Sequence, residues 1–165
     1  MKDINYKKIL LTLDGSTLSE EAVKHALYLA KLTGAEILLH RVIDSVEIEL
    51  MNVEPMGMAP AVPVIGKTAV DLVREHKKIA MQELNHIREV LEENNIVMVG
   101  AKVVEGFAAT DIPEAARREK VDLIVMSTHG RSGLGRVLLG SVAESVVRHA
   151  PCPVLLIRSK TNTNK

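Results

Sequence analysis

The residues most able to do chemistry are glycines and hydroxyl side chains in the segment from Ser127 to Ser141. Gly130 and Gly133 allow the main chain to turn tightly and to approach a ligand closely. Gly140 directly precedes Ser141, after which apolar residues recur at helical spacing, and the amides at a helix N-terminus attract anions. This pattern favours a phosphate-binding site, although a flexible turn followed by an ordinary helix cap would give the same glycines.

Several known motifs are excluded by the same spacing. A Walker loop needs a lysine before its serine or threonine, whereas Gly140 stands directly before Ser141. A dinucleotide-binding fingerprint should follow the first strand, where the chain has an Asp-Gly-Ser sequence at 14–16 instead. The sequence has no G-x-S-x-G elbow, and it lacks the S-G-G-x-D-S and H-x-G-H motifs of ATP pyrophosphatases and adenylyl transferases.

Short apolar runs alternate with amphipathic segments, which predicts strands alternating with helices. The predicted strands cover 9–13, 36–43, 96–104, 121–126 and 154–157. The predicted helices run from a capping box at Thr17 and Glu20 to Gly34, from Lys67 to Asn94, from Thr110 to Glu119, and from Gly140 to the residue before Pro151. We expect Pro113 in the first turn of its helix, where the amide has no intrahelical partner.

This alternation predicts an α/β fold, with a five-stranded parallel sheet between helices in a three-layer α/β/α sandwich. Ligands of such sheets bind outside the carboxyl ends of the strands, where the strand order reverses. The rule selects Asp14, Arg41, Val42, Gly106 and the residues from Ser127 onward as candidates for ligand contact.

Composition narrows the classes of function. Lysine and arginine total 21, equal to aspartate and glutamate, so the chain has no excess of positive charge for binding nucleic acid. Aromatic residues are 2% of the chain, which is too few for stacking against several bases. The single cysteine excludes a disulfide framework, and the six histidines show no paired metal-ligand spacing. The apolar runs are too short to span a membrane, so we expect no membrane partner and a cytoplasmic, soluble protein.

We expect a single domain over residues 1–165, as the length of the chain suggests. Residues 45–66 contain three of the six prolines and three of the seven methionines, and we interpret them as an irregular insert. This insert is either a variable surface loop or a lid over a ligand. The polar residues at 159–165 are interpreted as a flexible tail.

Several stretches together resemble the universal stress protein family over about residues 5–158. The resemblance rests on the sequences at residues 7–10 and 14–16, on Leu38-Leu39-His40, and on the apolar strand at residues 121–126. Its most specific part is the sequence at residues 130–133 and 138–154. It implies the strand order 3-2-1-4-5 of an adenine nucleotide alpha hydrolase-like fold. It also implies a homodimer paired through the last strand, Val154-Leu155-Leu156-Ile157, whose uncovered apolar edge would otherwise invite aggregation.

ATP-binding members of this family share the motif G-x2-G-x9-G-[S/T]. In this chain Gly130, Gly140 and Ser141 match the motif, whereas Ser127 replaces its first glycine. If the position requires a positive φ or a close approach to phosphate, serine weakens binding. If the position requires only a small residue, serine fits and can donate a hydrogen bond.

The resemblance implies ATP, or AMP or ADP, as the ligand, with magnesium or manganese bound through the phosphates. Asp14 would lie near the ribose or the metal, Thr12 would line the base pocket, and the main chain of either Arg41 or Val42 would bind adenine. The residues predicted to contact the nucleotide are Thr12, Leu13, Asp14, Arg41, Val42, Ser127, Gly130, Arg131, Ser132, Gly133, Gly140, Ser141 and Val142.

The sequence therefore predicts a dimeric, ATP-binding stress protein whose nucleotide state is read by a signalling partner. The alternative is a nucleotide-free dimer that acts as a scaffold or in a chaperone-like role, which Ser127 favours. No general base stands beside a positioned nucleophile, so we expect no catalytic residue and at most slow ATP hydrolysis.

Overall fold

A computed structural model describes residues 5–43, 69–96, 100–128 and 139–158. The strands are β1 (Lys8–Thr12), β2 (Glu36–Ile43), β3 (Gly100–Glu105), β4 (Leu123–Ser127) and β5 (Val154–Ile157). The helices are α1 (Thr17–Thr33), α2 (Ala69–Glu93), α3 (Ala108–Glu119) and α4 (Ser141–His149). None of the described helices is both long and apolar enough to cross a membrane. The predicted insert at 45–66 and the predicted tail at 159–165 lie outside the described residues.

All the strand pairs in the sheet are parallel, and the strand order is β3-β2-β1-β4-β5. This order confirms the predicted fold class. The chain moves outward from β1 to β2 and β3, then returns to the other side of β1 to form β4 and β5. The strand order therefore reverses at β1, and a crevice at the carboxyl ends of β1 and β4 is the expected place for a ligand.

Alternating side chains divide the core between the two faces of the sheet. Ile9 and Leu11 pack in a cluster with α1 and α2, whereas Leu10 packs in a second cluster with α3 and α4. All three are fully buried, as expected for a parallel sheet covered on both faces. The same alternation determines whether a polar residue near the carboxyl end of a strand faces α1 and α2 or faces α3 and α4.

The N-cap of α1 differs by one residue from the prediction. Ser16, not Thr17, caps the helix, because its Oγ accepts a hydrogen bond from the Ser19 amide at 3.1 Å. Asp14 orients this cap, since its Oδ1 accepts hydrogen bonds from both the amide and the hydroxyl of Ser16, at 3.0 Å and 2.7 Å.

Pro113 is not in the first turn, so that prediction was wrong. Helix α3 begins at Ala108, which places Pro113 in the second turn. Proline has no amide to donate to the carbonyl of Ala109, four residues earlier. The hydroxyl of Ser145 on α4 donates to that carbonyl instead, at 3.1 Å.

Two strand starts also differ from the prediction. Ile96 belongs to the end of α2 rather than to β3, because its amide donates to the carbonyl of Leu91 after Asn95 takes a left-handed φ of 63°. Val121 likewise belongs to the end of α3, since its amide donates to the carbonyl of Ala116. In both cases an apolar residue that suggested a strand is hydrogen-bonded to the last turn of the preceding helix.

Candidate functional site

The loop after β1 is ordered by its own side chains. The carboxylate of Asp14 receives the two hydrogen bonds from Ser16, and Gly15 between them has a left-handed φ of 80°. The amide of Leu13 donates to the carbonyl of His40 at 3.0 Å, which continues the pairing of β1 with β2 to the edge of the sheet. The loop therefore starts α1 from a fixed position beside the crevice.

The end of β4 is tied directly to the start of α4. Ser127 and Thr128 are buried, and the Thr128 amide donates to the carbonyl of Ile157 on β5 at 2.9 Å. The Gly140 amide donates to the carbonyl of Thr128, also at 2.9 Å. The chain thus leaves the sheet at Thr128 and returns to the same point at Gly140, so α4 begins at the carboxyl end of β4.

The N-terminus of α4 is suited to an anion. Gly140 is the N-cap and has no side chain to cap the helix. The intrahelical bonds begin with the amide of Glu144, which donates to the Gly140 carbonyl at 2.9 Å. The amides of Ser141, Val142 and Ala143 have no acceptor among the described residues, so they and the helix dipole can meet a phosphate oxygen.

Beyond His40, one side of the β2 main chain is open as far as the described residues are concerned. The ladder between β1 and β2 ends at Thr12 and His40, whereas β2 continues to Ile43. The His40 carbonyl faces β1 and the Ile43 carbonyl faces the β3 side, where it accepts from the Gly106 amide, so the peptide groups alternate along the strand. The N–H and C=O of Val42 therefore face the side on which β1 has ended.

The side chain of Arg41 points away from that opening. It is buried on the face of the sheet that carries α1 and α2, and its Nη1 forms an ion pair with Oε2 of Glu83 on α2. The main chain of Arg41 pairs with β3, opposite Val103. Of the two residues between which the sequence could not choose, Val42 has the main-chain groups that reach the crevice.

His40 is a buried, neutral imidazole below Val42. It is 1% exposed, and neither ring nitrogen has a hydrogen-bond partner within the described part of the chain. The pKa of His40 is lowered to about 4, mainly by burial and to a smaller extent by the positive charge of Arg118. The ring adds no charge to the site at neutral pH.

The structure brings most of the predicted site residues to one edge. Thr12, Leu13, Asp14, Val42, Ser127 and the start of α4 at Gly140, Ser141 and Val142 all lie at the carboxyl ends of β1, β2 and β4. Leu13 is buried and packs in the same core cluster as Ile9, Leu11, α1 and α2. The predicted contacts Gly130, Arg131, Ser132 and Gly133 lie outside the described residues.

Thr128, one of the predicted candidates from Ser127 onward, closes the end of β4. Glu83 on α2 was not singled out from the sequence. Glu83 was not predictable, because the exposed surface of a long amphipathic helix carries many acidic residues. Within the described ranges, no group of three or more histidine, cysteine, aspartate or glutamate side chains could hold a metal ion.

The strand order and this edge define a doubly wound α/β protein whose switch point holds the N-terminus of a helix with glycine as its N-cap. The chain matches the universal stress protein family over residues 5–158, and it belongs to that family. A universal stress protein of Methanocaldococcus jannaschii is 39% identical over 154 residues, which are 93% of this chain and 82% of the relative.

Solved structures show the same fold. A second protein of that archaeon has a structure that superposes with a TM-score of 0.80 at 30% identity, covering 96% of this chain and 99% of the other. A universal stress protein in complex with cAMP gives 0.60 at 20% identity, with 94% and 98% covered. One from Arabidopsis thaliana with AMP bound gives 0.59 at 19% identity, with 96% of each chain covered. The last two likenesses concern the fold alone.

Proposed function

We propose that this protein binds an adenine nucleotide, with ATP as the expected form, in the crevice between the ends of β1, β2 and β4. The observation that carries the proposal is the start of α4, a helix N-terminus that no described side chain caps and that the Gly140–Thr128 hydrogen bond holds against β4. The neighbours solved with AMP and cAMP support this ligand class, because they have the same fold.

The base would bind to the main chain of Val42. A strand residue whose own N–H and C=O face the same side can pair with adenine, whose N1 accepts and whose exocyclic amine donates a hydrogen bond. The buried Thr12 lies on the adjacent strand, where it is the last residue of the β1–β2 ladder. Asp14 would then lie nearest the ribose, at the start of the loop that leaves β1.

The phosphates would bind to the amides of α4 and to Ser141. Ser127 is compatible with this arrangement, since it lies within β4 and is not among the residues with positive φ. Its place in the structure supports the view that position 127 requires only a small residue. A magnesium or manganese ion would neutralise the phosphate charge and would be held mainly by phosphate oxygens and water.

The binding test uses two caps of nearly equal shape. Gly140→Asp places a carboxylate where the phosphate would bind, whereas Gly140→Asn offers a neutral cap of the same size. We expect both variants to be as stable as the wild type or more so, and calorimetric titration with Mg-ATP should show at least about a tenfold greater loss of affinity for Gly140→Asp, because two anions compete for one set of amides. Equal affinities for the two variants would contradict the phosphate site.

Base recognition has a separate test. Val42→Pro removes an amide that does not take part in the β2–β3 ladder, whereas Val42→Ile retains that amide. We expect Val42→Pro to lose affinity for AMP and ATP alike and Val42→Ile to retain it. Mass spectrometry of small molecules released from the denatured protein would identify the nucleotide that copurifies with it.

We also propose a homodimer that pairs through β5. This strand is at the edge of the sheet, and its sequence Val154-Leu155-Leu156-Ile157 contains no charge. The opposite edge, β3, carries Lys102 and Glu105, and both form ion pairs. Charged edges oppose further pairing and apolar edges favour it, so a second copy is expected at β5. A cytoplasmic location and a stress-response partner that reads the nucleotide state complete the proposal.

A further inference from the structure

A buried cation lies behind the loop that follows β1. Arg41 is in a strand whose neighbours on the same face, Leu39 and Ile43, are aliphatic core residues. Arg41 is only 6% exposed, and its partner Glu83 reaches it from α2 with a side chain that is 48% exposed. A guanidinium in such a place loses most of its hydration, which the half-exposed carboxylate of Glu83, its partner among the described residues, does not fully restore.

The guanidinium is packed against Gly15. A Cβ atom on Gly15 would lie 2.9 Å from Nη2 of Arg41 and 3.2 Å from both Cζ and Nη1. Three atoms of the planar group therefore occupy the space that a side chain at position 15 would need. The same group is held from behind by Glu83, so Gly15 rests on a surface that α2 keeps in place.

An aliphatic residue would fill this part of the core at a lower cost in hydration. Buried ion pairs often contribute little to the free energy of unfolding, and in some proteins they serve to select one geometry. Here the selected geometry is that of the loop, because Gly15 lies between Asp14 and Ser16, whose hydrogen bonds form its turn. The arrangement connects α2 to the edge of the sheet at which the nucleotide is proposed to bind.

We infer that Arg41 is a positioning residue for the proposed nucleotide site. Its guanidinium, fixed by Glu83, sets the position of Gly15 and thereby presents Asp14 to the ligand, without touching the ligand itself. The inference rests on the proposed function for its effect on binding, but its effect on the loop does not. Loss of the pair would leave the loop in the correct geometry for only part of the time, and apparent affinity falls with that fraction.

The test compares Arg41→Met and Glu83→Gln with a matched control, Lys77→Gln. The control removes another ion pair between α2 and the sheet, Lys77 with Glu105 at 2.9 Å, which lies at β3 and away from the loop. Hydrogen exchange of the Ser16 and Ser19 amides, which donate to Asp14 and Ser16, is measured in the absence of nucleotide. We expect faster exchange in Arg41→Met and Glu83→Gln and wild-type exchange in Lys77→Gln.

Affinity for Mg-ATP is then measured by calorimetry on the same four proteins. If about a tenth of the Arg41→Met molecules retain the correct loop geometry, the affinity of that variant should fall by about tenfold. We expect a smaller loss of affinity in Glu83→Gln and no loss in the control. The effects of the first two substitutions should be less than additive in the double variant. Partial recovery of slow exchange in Arg41→Lys, which retains the charge, would support the role of the ion pair.

Two results would overturn the inference. Unchanged exchange of the loop amides in Arg41→Met would show that the guanidinium does not hold the loop. A loss of affinity with unchanged exchange would show that Arg41 contacts the ligand directly. If the wild type binds no adenine nucleotide, the proposed function fails, and the exchange measurement still decides whether Arg41 positions the loop.

Discussion

Two glycines have nearly the same left-handed conformation but different surroundings. Gly15 has a φ of 80° and is crowded by the Arg41 guanidinium, whereas Gly34, the C-cap of α1, has a φ of 71° and nothing within 4 Å of an added Cβ. Alanine at either position has the cost of a left-handed backbone, about 1–2 kcal/mol. The difference in stability loss between alanine at position 15 and alanine at position 34 therefore measures the effect of the nearby Arg41 side chain.

We expect Gly15→Ala to lower the free energy of unfolding by about 1 kcal/mol more than Gly34→Ala, because the added methyl group must displace an ion-paired side chain. Urea unfolding of both variants measures the difference. In an Arg41→Met background the two losses should become similar. Equal losses in the wild-type background would mean that the guanidinium moves aside freely.

The buried ring of His40 predicts a dependence of stability on pH. The pKa of His40 is about 4 in the folded protein, mainly because burial disfavours the charged ring, against 6.5 for an ordinary histidine. Arg118 and Lys102 lower this pKa, whereas Asp111 and Glu119 raise it. Because the unfolded chain binds the proton first, the contribution to stability is complete above pH 6.5 and declines as the pH falls toward 4.

Between pH 7.5 and pH 5.5 this effect should lower the free energy of unfolding by about 1 kcal/mol, since roughly one more proton is bound by the unfolded chain over one pH unit. Urea unfolding at the two values, in the wild type and in His40→Gln, gives the difference due to this ring. The other histidines contribute equally to both proteins and cancel. The same pH dependence in both proteins would contradict the low pKa.

At the scale of elements, α3 has a break in its hydrogen bonding that α4 repairs. Pro113 offers no amide to the Ala109 carbonyl, which receives the Ser145 hydroxyl instead. Ser145→Ala should therefore lower the free energy of unfolding by about 1 kcal/mol, the net value of a typical hydrogen bond. A double-mutant cycle with Pro113→Ala, followed by urea unfolding, measures how far the two residues depend on each other.

The expected result of the cycle is a smaller cost for Ser145→Ala when residue 113 is alanine. An amide at position 113 can then donate to the Ala109 carbonyl within the helix, so that carbonyl no longer depends on α4. Additive costs would show that the Ser145 hydroxyl and the proline act independently.

The sequence predicted the order and type of the described elements because each strand is a short apolar run and each helix has an apolar face. Element boundaries failed where a helix ending kept apolar residues for packing, as at Ile96 and Val121. At the edge of the sheet, Asp14 and Gly140 were predictable because turn residues follow strands and precede helices. The Glu83 contact depends on how α2 packs against the sheet, which no local pattern encodes.

At the scale of the whole molecule, the two edges of the sheet predict how copies associate. The Pro153 and Ile157 carbonyls of β5 face β4, so the main-chain groups of Leu156, which alternates with them, face outward. We expect the wild type to sediment as a dimer and Leu156→Pro to sediment as a monomer, because the substitution removes an outward N–H. Leu156→Ala retains that N–H and should remain a dimer.

Sedimentation velocity at several concentrations, with circular dichroism to confirm folding, checks this prediction. A wild type that remains monomeric at high concentration would contradict pairing through β5. A dimer that persists in a folded Leu156→Pro variant would place the contact on another surface.

The unequal edges also set the stoichiometry of such an assembly. Joining two β5 strands would produce a continuous ten-stranded layer whose two outer margins are both β3, each bearing the Lys102–Glu119 and Lys77–Glu105 pairs. Attachment of a third subunit at β3 would require the removal of water and counterions from these charged side chains, which is unfavourable. If two copies pair through β5 as proposed, assembly would therefore stop at two subunits and give a closed complex rather than a fibre.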